Sequence, residues 1–216
     1  MKKIFALCAM LVAAALILSA CTPAAQSGAA AGVPGEGWEL FKGDGFEVWL
    51  PESFAGGSSP GDMAEVVQLF RDAGQEQMAQ SVEASSAYIR LYAIDTAINN
   101  PNNYFTNMNV ILEQNSLLKD WSIDDYVDVS MSQLNNIDGI TVLDSGPFDI
   151  AGFDAYWLLS EYDMSVLMGL PGLARITQYL LKNGDHVYVL TYGTSAEEYN
   201  DRVSDFETSA LSFIEK

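Results

Sequence analysis

Two apolar segments joined by a tight turn, in the last third of the sequence, constrain the fold more than any other feature. They span residues 175–181 and 186–192 and flank the tetrapeptide Lys-Asn-Gly-Asp at 182–185. Asn-Gly tolerates the positive φ angles of a tight hairpin turn better than other dipeptides. Residues 187–192 are apolar at both odd and even positions, so we expect a central strand that is covered on both faces.

Three segments carry the signals of amphipathic helices. Each starts with two polar residues three positions apart, a spacing at which the side chains can satisfy each other's free backbone N–H groups. Apolar residues then recur at intervals of three and four, which predicts a helix lying on a sheet. The polar pairs are Asp62 with Glu65, Ser122 with Asp125 and Ser195 with Glu198, and the first helix is expected to reach about residue 84 with an interruption at Gly74.

Alternating or apolar runs predict the remaining strands. Phe46, Val48 and Leu50 alternate with Glu47 and Trp49, which is the pattern of a half-buried strand. Further strands are predicted at 87–96, 104–113, 140–143, 147–150 and 153–162, with turns at 43–45, 100–103 and 151–152. Short turns favour antiparallel pairing, so we expect an α/β fold of the α+β type: an α/β/α sandwich with a mainly antiparallel sheet covered by amphipathic helices.

The order of these elements resembles the PsbP-like family. The resemblance extends over residues 38–216 and rests on the opening strand Phe46-Glu-Val-Trp-Leu-Pro-Glu-Ser-Phe54, the turn and strand at 150–156, the strand at 187–192, and the closing helix with Phe206 and Phe213. It implies the sandwich shared by the photosystem II extrinsic protein and a Ran-binding nuclear import factor. Family members are generally non-catalytic binding or assembly proteins, and none of their functional residues can be transferred to this sequence.

The N-terminal segment has the features of a bacterial lipoprotein leader. Two lysines precede an apolar run from residue 4 to residue 18 that is too short to span a bilayer, and Leu18-Ser19-Ala20 leads into Cys21. We therefore expect a signal peptide at 1–20 and lipid attachment, with palmitate among the acyl chains, at Cys21. Cleavage would discard Cys8 and leave Cys21 as the only cysteine.

The segment after Cys21 has the composition of a flexible tether. Residues 21–37 are small or turn-forming, and a coil of this length holds a domain roughly 20 to 25 Å from its anchor. A single globular domain at 38–216 is expected to follow. Two or three acyl chains anchor a protein firmly, so the expected location is the bacterial cell envelope, outside the cytoplasm.

The charge of the chain excludes some partners. Without Lys2 and Lys3, eight basic side chains oppose 29 acidic ones, which gives a net charge of −21. Such a body repels nucleic acid and anionic headgroups, so membrane attachment has to come from the lipid, and an envelope protein is the expected partner.

The sequence offers little catalytic or metal-binding chemistry. His186 is the only histidine, and no Gly-x-Ser-x-Gly elbow is present, so we predict no catalytic residue, no metal site and no cofactor. Two alternatives stay open. A pair of carboxylates in a cleft would make the protein an envelope hydrolase, and a small-ligand or cation carrier could use the acidic residues Asp120, Asp124, Asp125 and Asp128, although helix capping explains Asp124 and Asp125 better.

One apolar segment fits neither a helix nor a strand. Residues 164–173, with the sequence Met-Ser-Val-Leu-Met-Gly-Leu-Pro-Gly-Leu, combine large apolar side chains with two glycines and a proline. The segment is expected either to tuck against the core or to stay partly exposed as a contact surface. In the second case Leu167, Met168, Leu170 and Leu173 would contact a partner protein or an apolar ligand.

Overall fold

A computed structural model describes residues 33–97 and 104–216. The predicted signal peptide, Cys21, most of the tether and the turn at 100–103 lie outside these described residues. None of the described helices combines the length and the apolar character needed to cross a bilayer.

Seven antiparallel strands form the main sheet, and the strand with two apolar faces lies at its centre. Residues 187–195 are all buried, which confirms the prediction of a strand covered on both sides. Gly184 has a φ of 59° in the two-residue turn that joins this strand to its neighbour. In spatial order the strands are β3 (Phe54–Gly57), β4 (Ile89–Asp95), β5 (Asn107–Gln114), β9 (His186–Ser195), β8 (Leu173–Asn183), β7 (Asp154–Asp163) and β6 (Ile140–Phe148).

A second, three-stranded sheet combines the beginning and the end of the domain. It consists of β1 (Trp38–Gly43), β2 (Phe46–Pro51) and β10 (Ile214–Glu215), with β2 in the middle. The alternation predicted for β2 is confirmed, because Phe46, Val48 and Leu50 are buried between half-buried neighbours. The sequence patterns did not predict β1, β3 or β10, because these strands have weaker alternation or are very short.

The helices lie on both sides of the main sheet. They are α1 (Pro60–Asp72), α2 (Glu76–Ser85), a 3-10 helix (Ser116–Asp120), α3 (Ile123–Leu134), the single turn α4 (Met164–Leu167) and α5 (Tyr199–Leu211). Tyr92 and Ile94 of β4 face α1 and α2, and Val187 and Val189 of β9 face α3 on the same side. Alternate residues point to the opposite side, where α5 and the three-stranded sheet pack. The α+β sandwich is thereby confirmed, with the difference that a small sheet shares one outer layer with a helix.

The helix caps agree with the sequence at one of the three predicted positions. The Ser122 hydroxyl accepts from the Asp125 N–H, and the Asp125 carboxylate accepts from the Ser122 N–H, as predicted. The prediction for the first helix is wrong, because Ser59 rather than Asp62 is the N-cap and Asp62 is its partner. Ser195 and Glu198 do bond reciprocally, but α5 begins only at Tyr199, so this pair closes the preceding turn.

The helix predicted at 62–84 is two helices. Gly74 has a φ of 74°, and the backbone N–H groups of Gly74 and Gln75 donate to the carbonyls of Arg71 and Phe70. These two bonds form a Schellman motif, which ends α1 before α2 begins. In contrast, the two strands predicted at 140–143 and 147–150 are one strand, β6, with a bulge between Val142 and Asp144.

Candidate functional site

The apolar segment 164–173 is held by its own backbone hydrogen bonds. The Met164 N–H donates to the Gly172 carbonyl, and the Leu170 N–H donates to the Met164 carbonyl, both at 3.1 Å. At its start, the Asp163 carboxylate accepts from the backbone N–H groups of Ser165 and Val166. The Ser165 hydroxyl donates to the same carboxylate. This hydroxyl bond, together with the two backbone bonds, lowers the pKa of Asp163. The segment, called the 164–173 loop below, is therefore an ordered structure that starts with a fixed negative charge.

The side chains of the 164–173 loop divide into an inner and an outer group. Met168 and Leu170 are half-buried and pack against both the α1–α2 cluster and the cluster around Ile176. Leu173 points outward and is 45% exposed, and Val166 is 58% exposed. Of the four residues predicted for partner contact, Leu173 is thus open to solvent, whereas Met168 and Leu170 largely support the loop from below.

Leu167 and Val166 lie over the turn between α3 and β6. A Cβ atom added at Gly139 would approach Val166 Cβ at 3.0 Å and Leu167 Cγ at 3.5 Å. A side chain at position 139 would therefore crowd Val166, and the φ of 89° at Gly139 also favours glycine. Sequence reasoning omitted Val166, although it stands in the same apolar segment, because one-dimensional patterning does not show which side of a single helical turn faces solvent.

His186 is engaged in a network at the opposite end of β9. Its Nε2 lies 2.7 Å from a Glu215 carboxylate oxygen, and its Nδ1 lies 3.3 Å from Asp185 Oδ1. Glu215 also accepts from the Tyr188 hydroxyl and from the Asn183 side chain. Because a carboxylate faces each ring nitrogen, His186 has no nitrogen available to activate a hydroxyl nucleophile. The network instead fastens β10 to the main sheet.

Two partly or fully buried carboxylates lie far apart. The side chain of Asp95 is fully buried and pairs with Arg202 at 2.6 Å. Burial raises the pKa of Glu113, and the Tyr126 hydroxyl beside it opposes that rise. The Asp95 N–H bonds to the Thr106 carbonyl, and Glu113 lies seven residue steps beyond Thr106 along β5, which is roughly 23 Å. Glycosidase carboxylates lie about 5 to 9.5 Å apart, so these two cannot form such a pair.

The acidic residues near the start of α3 do not converge. Within residues 33–97 and 104–216, no group of three or more His, Cys, Asp or Glu side chains could hold a metal ion. Asp125 is occupied by the N-cap, and its bonds to Ser122 lower its pKa. This carboxylate therefore serves the helix end.

The few cations of the domain are mostly paired. Five of its eight basic side chains contact carboxylates within 4 Å. The five are Lys42 and Lys216, both with Glu47; Arg71 with Glu76 and Glu83; Arg175 with Glu161; and Arg202 with Asp95 and Asp205. A large excess of acidic side chains thus remains to give the domain a negative field.

Comparison with known proteins finds similarity at the level of three-dimensional structure. No protein-family model matches the sequence, and no curated protein matches it significantly. The solution structure of CyanoP, the cyanobacterial PsbP of Synechocystis sp. PCC 6803, is 15% identical and superposes with a TM-score of 0.51, covering 88% of this chain and 98% of CyanoP.

Two further structures resemble the chain less closely. LpqN, a Mycobacterium tuberculosis protein involved in cell envelope biogenesis, is 13% identical with a TM-score of 0.48 over 78% of this chain and 81% of LpqN. The Ran-binding protein Mog1p of Saccharomyces cerevisiae is 10% identical with a TM-score of 0.42 over 79% and 89% of the two chains. The superposition on CyanoP covers almost the whole of that protein, so the fold of this chain is PsbP-like.

Proposed function

We propose that this protein is a lipid-anchored binding or assembly module of the bacterial cell envelope, without catalytic activity. Its anchor would be the acylated Cys21, and its partner would be another envelope protein that contacts the 164–173 loop. The leader sequence supports the location, and the PsbP-like fold is compatible with a binding or assembly role.

The observation that carries the binding role is the exposure of Val166 and Leu173 on an ordered loop. Both side chains are about half exposed, although the backbone beneath them is fixed by hydrogen bonds and by two buried clusters. A preorganised apolar surface loses little conformational entropy when a partner covers it. The loop therefore has the properties of a contact site.

The charges beside the loop indicate the chemistry of the partner. Asp163 stands at its start, and Asp138 precedes the glycine that Val166 and Leu167 contact. A partner surface with an apolar centre and basic side chains at its rim would complement this arrangement. Anchoring both proteins to one membrane raises their effective concentration, so a modest affinity is sufficient.

The contacts of His186 and Asp95 support the proposal that the protein is not catalytic. Carboxylates face both nitrogens of His186, and Asp95 is neutralised by Arg202. These groups hold elements of the fold together.

Lipid anchoring is tested by mass spectrometry of the protein purified from its native envelope. We expect an N-terminal Cys21 that carries diacylglycerol. We also expect the wild-type protein in the membrane fraction and the Cys21→Ser variant outside it. An unmodified N-terminus, or a wild-type protein in the cytoplasmic fraction, would refute this part of the proposal.

The contact site is tested by site-specific photo-crosslinking in intact cells. A crosslinker at position 173 should capture one defined envelope protein, and the capture should weaken when Val166→Ser is added. The matched control is a crosslinker at Leu117, which is 66% exposed on the 3-10 helix. Equal capture of the same protein from both positions would show that the loop is not the contact site.

A further inference from the structure

The outer face of the three-stranded sheet has an unusual composition for this acidic domain. Cross-strand partners share a face of a sheet, and the register pairs Trp38 with Pro51, Leu40 with Trp49 and Lys42 with Glu47. In β10, Ile214 pairs with Glu47 and therefore points the same way, as does Lys216 two residues later. The outer face consists of Trp38, Leu40, Lys42, Glu47, Trp49, Pro51, Ile214 and Lys216.

The opposite face of the same strands provides the core contacts. Phe41, Phe46, Val48 and Leu50 are buried in the cluster beneath α5. On the outer face, Trp38 and Trp49 are half-buried, and Ile214 is 39% exposed. The outer face thus presents two indole rings and three aliphatic side chains at the surface of the domain.

Charge on this face differs from that of the whole molecule. Lys42 and Lys216 both bond to Glu47, at 3.6 and 2.8 Å, and the hydrogen bond from Lys216 lowers the pKa of Glu47, so it stays ionised. The three side chains sum to +1, whereas residues 38–216 as a whole carry 8 basic and 28 acidic side chains, a net charge of −20. Both lysine side chains are exposed, and each carries an aliphatic stem as well as an ammonium group.

The position of this face relative to the tether indicates what covers it. β1 begins at Trp38, immediately after the 17 residues that follow the predicted cleavage site. If these residues form the coil that their composition predicts, the start of β1 lies roughly 20 to 25 Å from Cys21. Trp38 itself belongs to the outer face, so the tether enters the domain at the edge of that face.

We infer that the outer face of the three-stranded sheet docks on the lipid headgroup region of the membrane that carries the anchor. Tryptophan and lysine are the side chains enriched at membrane interfaces, because each combines an apolar body with a polar end. The inference rests on the proposed lipid anchoring, since a domain with this net charge needs the acyl chains to bring it to a bilayer.

Docking through this face would orient the rest of the molecule. The 164–173 loop lies beside α2, where a Cβ added at Gly169 would be 3.9 Å from Gln77 Oε1. Helix α2 packs on the side of the main sheet opposite to the small sheet. The loop would therefore face away from the bilayer, where a partner protein can reach it while the domain remains docked.

The test is tryptophan quenching in vesicles made from phosphatidylcholine that is brominated near the carbonyl end of its acyl chains. The full acylated protein is reconstituted in two forms. Trp121→Phe/Trp157→Phe keeps Trp38 and Trp49 as reporters, and the matched control Trp38→Phe/Trp49→Phe keeps the other two. We expect the first form to lose emission relative to vesicles without bromine, and the control to keep it. Circular dichroism verifies that both forms are folded.

Failure of docking and failure of anchoring give different results. A protein that does not float with the vesicles refutes the lipid anchor. A protein that floats while Trp38 and Trp49 keep their full emission refutes docking alone, and assigns the outer face to another partner such as a protein. Replacing part of the phosphatidylcholine with phosphatidylglycerol should reduce quenching at low salt, because the acidic domain is repelled by anionic lipid.

Discussion

At the scale of single residues, the burial of a few charged groups determines how stability responds to pH and mutation. Glu113 is held in a less polar setting than the exposed acids, beside the buried ring of Tyr126. Asp95 is fully enclosed, with the Arg202 guanidinium as its counterion. Removing the Glu113 charge and removing the Asp95 counterion are therefore expected to change the stability in opposite directions.

Glu113→Gln should stabilise the protein at neutral pH. Burial raises the pKa of Glu113 in the folded state above the usual value of 4.5, so folding favours the protonated form. The corresponding stability is present below the usual pKa and is lost as pH rises through the raised one. Urea denaturation should therefore show a higher free energy of unfolding for Glu113→Gln than for the wild type at about pH 7. This difference should shrink towards about pH 4. Exposed Glu39→Gln is the control, and a gain independent of pH would contradict the assignment.

Arg202→Met should be among the more damaging single substitutions. It leaves the Asp95 carboxylate buried without a cation, which typically costs about 3 kcal/mol of unfolding free energy. Asp95→Asn combined with Arg202→Met removes both charges and should recover most of that loss. If the double variant is as unstable as the single one, packing of the arginine rather than its charge is responsible.

At the scale of elements, the ends of helices and strands show which local patterns fix the structure. Ser122→Ala removes the hydroxyl that accepts from the Asp125 N–H, and loss of such a cap costs about 1 kcal/mol. Ser132→Ala, at an exposed position inside the same helix, is the control and should have no comparable cost. Thermal and urea unfolding of the two variants measure the difference.

The strand β10 depends on Glu215. Burial and, after it, the Glu215 carboxylate raise the pKa of Tyr188 to about 12. Glu215→Gln should lower this pKa but leave it above the usual value of 10, because burial is the larger cause. NMR titration of labelled tyrosine measures the change, and amide exchange at Ile214 should become faster as β10 loosens. An unchanged Tyr188 titration would show that Glu215 does not face the ring in solution.

Sequence patterns predicted the central elements better than the peripheral ones. Residues 187–192 are apolar at both odd and even positions, and a strand that is covered on both faces requires this pattern. The middle strand could therefore be identified from its sequence. The bulge in β6 and the Ser59 cap depend on cross-strand and short-range geometry that hydrophobic periodicity does not encode. β10 has only two residues, so no period could reveal it.

The candidate site was predicted in part. An apolar run interrupted by glycine and proline indicated the 164–173 loop, but not the division between outward Val166 and Leu173 and the inner Met168 and Leu170. That division results from tertiary contacts with Gly139 and with the clusters below the loop. The outer face of the small sheet was missed because one of its three strands, β10, comes from the far end of the sequence.

At the scale of the whole molecule, the net charge of −19, or −21 once the predicted leader is removed, dominates the response to salt. Self-repulsion destabilises the compact state, and mobile ions screen it. Raising NaCl from about 10 mM to about 200 mM should therefore raise the melting temperature. Calcium chloride at the same ionic strength separates screening from binding, because a larger increase with calcium would reveal a specific cation site. A melting temperature that does not respond to NaCl would contradict the electrostatic account.

The joining of β2 to the last helix and strand has a consequence for the time at which the domain can fold. The Trp49 N–H donates to the Ser212 hydroxyl, which lies 163 positions later, and its carbonyl accepts from Ser209. The ribosome must therefore synthesise nearly all of the residues that the structure describes before these bonds can form. The emerging chain therefore stays incompletely folded during synthesis, which would keep it compatible with the export that we propose.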